Sequence, residues 1–531
     1  CSYREANMRT SNEQKEAMRN RLLRRVDWRF LLPNPQPKRI ACFASGLLAD
    51  AVALLDGAKT GEPSGSPAEC DLVVAVNPDQ AMLQLAWATL SPGGVCYTEW
   101  RHPWAGGAQG VRRQLTAAGF TDVVCYWAWP WPERGNPLFW LPLEAPQALR
   151  YFLANRPPSR AWGMRMARML YRTLWRMGLR TRFVTPICAI AQKPGALAAP
   201  ELTAWIRTQW RDWDWGPTPA HLSSLLLTGG LRSINKVVRL LFADAECTPR
   251  LILKMPRAPE SLPALTHEVA ILQAVHAKHP RGLTGMPRIL FCQEMDGVLT
   301  VGETALTGVP IWTQLRQANF RHCALQVTDW LIQLAGQPPR CQRQKWWGRL
   351  VEPVLTEFAA TFGPVIDGQA LQATTTLLDA LGDLPQVCEQ RDCSPWNVLV
   401  AADGELIVLD WESAELDGLP LLDLIYFLTY LAFFLEGAME SGDYRAVYRA
   451  LWHSTSRLSC VAQECVARYS NALGLDSANL RPLRLFTWLL HARSEYKQFT
   501  ADAGHAPTAE ALRRSLFLSL WEEELANAHL A

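Results

Sequence analysis

One stretch constrains this chain more than any other, Glu389 to Asp423, which reads EQRDCSPWNVLVAADGELIVLDWESAELDGLPLLD. Asp392 is followed five residues later by Asn397, which opens an apolar run through Val400 that reads as a strand. Asp403-Gly404 predicts a turn, and Glu405 to Leu409 predicts a second strand that delivers Asp410 at its end. The expected hairpin brings Asp392, Asn397 and Asp410 within reach of one cleft.

Such a set suits phosphoryl transfer from ATP. One carboxylate orients an attacking hydroxyl and accepts its proton, while a second carboxylate and an amide oxygen hold magnesium on the phosphates. The stretch resembles the catalytic core of the aminoglycoside phosphotransferase and choline kinase family, relatives of the protein kinases. The DWE at Asp410 to Glu412 and the later Pro420 and Asp423 also fit. The resemblance implies Asp392 as catalytic base, Asn397 and Asp410 as metal ligands, and ATP and Mg2+ as cofactors. The family usually places His two residues before the base; here that position is Gln390.

Upstream, LLLTGGLRSINKVVRLLF sets Gly229 and Gly230 between apolar runs, as a glycine-bearing hairpin would. Glycine lets backbone amides approach phosphates closely. Leu251 to Lys254 follows as a strand, and Ala264 to Ala277 as a helix containing Glu268. By resemblance, Lys254 pairs with the α and β phosphates and Glu268 holds the lysine in place. VLTVGETAL, Val298 to Leu306, resembles the strand and hinge between two kinase lobes, with backbone near Glu303 to Ala305 receiving adenine. The helices after the catalytic hairpin would form the acceptor pocket, with Trp488, Arg493 and Glu495 as candidates.

At 531 residues the chain is too long for one core. A hydrophobic content of 49% and a charge of 19% are those of a globular protein. The most apolar run, Leu421 to Leu435, carries Asp423 and is too short to span a bilayer, so it reads as a buried helix. No secretory signal is visible; the chain opens on Cys1 without Met, as a trimmed or partial chain would, and a lipidated mature terminus is the alternative. None of the 14 cysteines forms a Cys-x-x-Cys pair or stands at zinc-finger spacing, so they read as reduced thiols. With a site for ATP, this implies a cytoplasmic protein.

Charge divides the chain. Residues 1 to 200 hold 25 Lys+Arg against 14 Asp+Glu, a balance of +11; subtraction from 53 and 50 leaves 28 and 36, or −8, for the rest. In the N-terminal half, a charged helix or arm ends at the Pro33 to Pro37 cluster. Short apolar runs (Arg39 to Ala44, Asp71 to Val76, Val95 to Glu99) then alternate with helical ones, Leu47 to Leu55 and Gln80 to Leu90, which predicts an α/β sheet. CDLVVAV, LSPGGVCYTEW and LTAAGFTDVVCYW resemble the second half of a class I methyltransferase fold. The loop FASGLL retains only Gly46, and the run from it to Asp71 is too short for two full strand and helix units. The resemblance is therefore to a degenerate methyltransferase that does not bind S-adenosylmethionine. From Arg160 to Arg180, arginines at three- and four-residue steps predict a helix with one cationic face. That helix suits peripheral attachment to an anionic membrane or packing on its own domain. No nucleic-acid motif accompanies the charge.

The expected organisation is a helical arm (1–36), a degenerate methyltransferase-like α/β domain (37–195), a linker (196–220) and an α+β two-lobed protein-kinase-like domain (221–531, lobes 221–305 and 306–531). The expected function is phosphoryl transfer from ATP to a hydroxyl of a small molecule, a sugar or glycoconjugate precursor. Two alternatives stay open, an inactive regulatory kinase-like module and a methyltransferase fused to a kinase-like unit.

Overall fold

The computed structural model describes residues 15–55, 58–60, 70–101, 106–130, 137–155, 186–195, 202–230, 232–279, 282–503 and 507–527. They belong to two compact units, one of Cys1–Ala17, Thr266–Arg288 and Leu306–Ala531, the other of Met18–Leu265 and Ile289–Ala305.

The second unit is built on a twelve-stranded sheet. One end is parallel: Ala58–Thr60, Ile40–Phe43, Cys70–Val76 and Leu90–Trp100 lie side by side in that order. CDLVVAV takes this place because its valines are apolar on both faces; Val73 and Val74 are both fully buried. Ile187–Gln192 then runs antiparallel to Leu90–Trp100 and separates it from Thr121–Trp129. Ala58–Thr60 was not expected. The interval before Asp71 is too short for two full strand and helix units, but it accommodates a three-residue strand paired with Ile40 to Cys42.

Phe139–Pro142 carries the ladder onward, through Phe139 opposite Leu227 and Trp140 opposite Leu226. Five antiparallel strands follow from that edge: Leu222–Leu227, Lys236–Ala243, Leu251–Pro256, Val298–Thr304 and Ile289–Met295. Strands from both sides of residues 196–220 thus share one ladder and one apolar cluster, with Trp28, Val74 and Tyr97 at one end and Val237, Leu241 and Leu253 at the other. Within 196–220, the helix Leu202–Gln209 buries Leu202 and Ile206 in that cluster together with Trp210. Trp213 stacks on Phe291 at 5.8 Å. Large aromatic faces gain more from burial than a solvated tether would allow.

The N-terminal arm is also part of this core. Helix 15–25 leads into a 3-10 turn, Asp27–Leu31, whose five side chains are all buried. Trp28 stacks on Tyr97 with ring centroids 3.8 Å apart, and Arg25 donates to both carboxylate oxygens of Glu99 at 2.7 and 2.6 Å. Arg25 is therefore paired inside the protein, in a segment that reads as a charged helix or arm. The Arg160 to Arg180 helix lies outside the described residues.

The first unit is mainly helical. Leu422–Glu436 is buried continuously from Leu422 to Phe433, as its apolar sequence predicts, and among the described residues no helix is long and apolar enough to cross a membrane. Every cysteine among the described residues is a free thiol. The helix Leu516–Ala526 is fastened by Glu524, which accepts hydrogen bonds from Arg484 Nε (2.7 Å) and Tyr448 (2.5 Å) and pairs with His453 (3.0 Å). Burial raises its carboxyl pKa, but Arg484 and His453 outweigh burial and hold it at about 2, below the ordinary 4.5. A depressed carboxyl contributes stability that is present above pH 4.5 and lost as pH falls toward 2. Glu524→Gln is therefore expected to destabilise the protein by about 3–5 kcal/mol, because Arg484 stays buried without its partner. The same change should flatten the loss of stability between pH 4.5 and about 2, followed by denaturant midpoints across that range.

Candidate active site

The hairpin forms with the expected register. Val398–Val400 pairs antiparallel with Leu406–Val408, Val398 opposite Val408 and Val400 opposite Leu406. Gly404, at φ +89°, makes the turn. Leu409 N–H donates to the Asn397 carbonyl at 3.0 Å, so the ladder extends one pair beyond the strands and sets Asp410 just past Asn397. Asn397 Nδ2 donates to Asp392 twice, to its carboxylate at 2.8 Å and to its backbone carbonyl at 3.0 Å. With its nitrogen so used, the amide oxygen is the atom left for a cation.

Asp392 is held in a charged, desolvated place. Burial pushes its carboxyl up to about 8, and the nearby Asp410 carboxylate adds to this, while the Asn397 hydrogen bond pulls the other way. Glu412 and Asp423 are further acids whose charge reaches it. A crowd of carboxylates in low dielectric disfavours its own ionisation. Among the described residues no group of three or more His, Cys, Asp or Glu side chains is placed to hold a metal; Asn397 and Asp410 are the residues that would hold a divalent cation in the reading proposed below.

Gln390 braces the loop that carries Asp392. Its Nε2 donates to the carbonyls of Leu409 (3.0 Å) and Asp410 (2.6 Å), and its Oε1 accepts from Asp392 N–H at 2.7 Å. One fully buried amide thus ties the loop carrying Asp392 to the strand end carrying Asp410. Asp423 accepts from the N–H groups of Gln390 (2.6 Å) and Arg391 (2.8 Å) and fixes the same loop from below. These contacts hold two residues with left-handed backbones, Arg391 at φ +63° and Asp410 at φ +64°. The side chain of Arg391 turns back to Glu389 at 2.8 Å. Gln390→Ala is expected to lower turnover about tenfold with nucleotide affinity little changed, since it removes three buried hydrogen bonds from loop geometry and none from the nucleotide. Gln390→His should retain more activity than Ala in the same kinetic assay.

Glu268, in the helix Leu262–Lys278, is buried and accepts from the N–H of Trp411 at 3.2 Å, the residue after Asp410. In the other unit, Lys254 is buried with its ammonium 2.9 Å from the carboxylate of Glu303. Glu303 was expected to offer backbone to adenine; its side chain also partners the lysine. The register explains this, because Ile252 faces Glu303 and Lys254 lies two residues along on the same face. Gly229 has open space where a side chain would stand, whereas Gly230, at φ +77°, has the Asn235 side chain 2.3 Å from where a Cβ would be. Only glycine fits there.

An aromatic wall near the base was not read from the sequence. Trp396, 37% exposed, meets Tyr430 edge-on at 5.1 Å, and Phe434 stacks with Trp312 at 5.0 Å. Besides burial, the charges of Glu495 and Asp392 push the Tyr430 phenol up, which sets these groups near one another. Of the acceptor candidates, Trp488 is fully buried and donates to Tyr448 at 2.6 Å, and Arg493 pairs with Glu357. Glu495 accepts from Ser515. Trp396 lies inside the catalytic loop, and that position was the available signal.

Residues 232–458 match the model of the phosphotransferase enzyme family, APH, and the match encloses the whole Asp392, Asn397 and Asp410 set. Over these residues the chain is similar to that family of small-molecule phosphotransferases. Among curated proteins no relative matches. Among solved structures, aminoglycoside phosphotransferase APH(3'')-Id from Streptomyces rimosus is 14% identical with a TM-score of 0.32, covering 55% of this chain and 99% of that one. Ethanolamine kinase from Plasmodium vivax is 12% identical with a TM-score of 0.36, covering 57% and 80%. A complex of aminoglycoside phosphotransferase APH(4)-Ia with ADP and hygromycin B is 13% identical with a TM-score of 0.35, covering 60% and 98%.

Proposed function

We propose that this kinase transfers the γ-phosphate of ATP to a hydroxyl of a sugar or glycoconjugate precursor. The observation that carries the reading is the bonding of Asp392 to Asn397, with Gln390 tying both to the backbone at Asp410. In this reading Asp392 orients the acceptor hydroxyl and accepts its proton, and the raised pKa of the carboxyl suits proton uptake near neutrality. Lys254, oriented by Glu303, takes up phosphate charge, and the amides at Gly229 and Gly230 lie close to the phosphates. Magnesium on Asn397 and Asp410 would supply charge neutralisation on the phosphate oxygens. The wall of Trp396 and Tyr430 supports a sugar, because the C–H face of a pyranose packs on aromatic rings while its hydroxyls stay free for Glu495 and Asp392.

Gln390 in the place of His is the departure that favours an inactive module, and its three hydrogen bonds support the active reading. ATP turnover across a panel of sugars, amino alcohols and lipid-linked acceptors tests the assignment. Turnover confined to amino alcohols would replace the sugar, and ATP binding without turnover on any acceptor would restore the regulatory reading. Use of ATP supports a cytoplasmic location.

For the N-terminal sheet, we infer a methyltransferase-like domain without its cofactor. Support comes from the four parallel strands followed by an antiparallel strand inserted between Leu90–Trp100 and Thr121–Trp129. Ligands in such sheets lie outside the carboxyl ends of the strands. At the carboxyl end of Leu90–Trp100, Glu99 is already taken by Arg25 and Tyr97 by Trp28. Calorimetry of the full chain with S-adenosylmethionine is expected to show no binding at micromolar concentration.

A further inference from the structure

The residue after the Lys254 strand, Arg257, is 1% exposed, and its guanidinium makes a dense set of contacts. Nη1 donates to the carbonyls of Gly230 (3.3 Å) and Arg232 (2.7 Å), and Nη2 to those of Thr228 (3.2 Å) and Gly229 (3.3 Å). Nε donates to the carboxylate of Asp27 at 3.1 Å, and Asp27 is itself fully buried. Asp27 sits 230 residues earlier, in the buried turn of the N-terminal arm. Arg29 from the same turn donates to the Arg257 carbonyl at 2.6 Å, and Asn20 of the arm accepts from the Ser233 N–H at 2.9 Å.

Peptide geometry gives this arrangement a consequence. In a trans peptide the C=O of one residue and the N–H of the next point in opposite directions. Carbonyls of Thr228 and Gly229 gathered onto Arg257 therefore turn the N–H groups of Gly229 and Gly230 away from it. Those are the amides that approach phosphate in the function proposed above. Ser233 shows the same rule, since its N–H points opposite to the Arg232 carbonyl and reaches Asn20. A buried guanidinium needs a buried counter-charge, and Asp27 is the carboxylate that supplies it.

We propose that Asp27 and Arg257 form a clamp by which the N-terminal arm holds the glycine loop with its amides turned outward, and so sets the affinity for nucleotide. Both are positioning residues acting through the loop backbone. The proposal rests on reading that loop as the nucleotide loop, but the clamp itself is observable without nucleotide. The arm also carries Arg25 and Trp28, which grip Glu99 and Tyr97 of the parallel sheet, so one short segment joins that sheet to the loop.

The test compares the full chain with Asp27→Asn and with the milder Asn20→Ala, by peptide-resolved hydrogen exchange and by calorimetry with magnesium-ATP. For Asp27→Asn, exchange at Ser233, whose amide is held by Asn20, should accelerate about tenfold while Cys70–Val76 keeps the parent rate, and the Kd for ATP should rise about tenfold. Asn20→Ala should act in the same direction by about two- to threefold, and it covers the case in which Asp27→Asn does not fold. Loop exchange equal to the parent in the folded variants would overturn the clamp. Acceleration spread equally over the sheet would reduce it to a general structural role and also overturn it. Faster loop exchange with an unchanged Kd would overturn its link to nucleotide affinity. If the parent itself bound no ATP, the phosphotransfer reading would fall, while loop exchange would still decide the clamp.

Discussion

Asp392→Asn is expected to lower phosphoryl transfer about 10²–10⁴-fold while magnesium-ATP still binds close to the parent affinity. That range is what a positioned general base contributes. Asn is nearly isosteric with Asp and can keep one bond to Asn397, so the loop should hold its shape; what it lacks is an oxygen that can take the acceptor's proton. Loss of the repulsion that Asp410 exerts on Asp392 should make the folded variant no less stable than the parent. Single-turnover kinetics with the acceptor found by screening, set beside calorimetric ATP binding, separate chemistry from binding. Equal turnover in variant and parent would remove Asp392 from the chemistry.

The second large effect is expected at Asp410. Its left-handed backbone, φ +64°, makes the choice of substitution matter, because Ala there adds backbone strain to the loss of charge, whereas Asn tolerates that region. Asp410→Asn is expected to lower turnover about 10²-fold or more and to weaken ATP binding only when magnesium is present, since this carboxylate is the one proposed to hold the metal. Asp410→Ala should show the same magnesium-dependent loss with a lower melting temperature as well. Titrating ATP with and without magnesium checks both variants; a defect independent of magnesium would assign Asp410 to the fold rather than to the metal.

What could be read from the residues themselves was local. Asp392, Asn397 and Asp410 sit at fixed offsets around one short hairpin, and a hairpin's register follows from its turn and its apolar alternation, both visible in VLVAADGELIVLD. Leu422–Glu436 was equally legible, because a run so apolar with one acid near its start has few places to go except a core. Gln390 shows where this reading stopped. The residue type was plain and the departure from the family was plain. That its amide could reach both Asp392 N–H and the Asp410 carbonyl depends on a separation across the hairpin base that no spacing rule supplies.

The arm and the shared sheet lay further out of reach. Residues 1–36 read as a charged helix or arm, and Arg and Asp are usually solvated. Burying Arg25, Asp27 and Arg29 becomes tolerable only when partners stand ready, and those partners, Glu99 and Arg257, lie 74 and 230 residues away. The pairing of Trp140 with Leu226, which continues the sheet past residues 196–220, is likewise a meeting of two edges that local propensity does not encode. By itself, then, the sequence determined the catalytic hairpin, the identity of the groups on it and the apolar helix behind it, because those depend on contacts between near neighbours. The tertiary structure alone decided that Gln390 replaces His, that Glu303 reaches Lys254, and that the N-terminal arm grips the glycine loop. Each of those needs two groups distant in the chain to be desolvated together, and the cost of burying either is met only by the other.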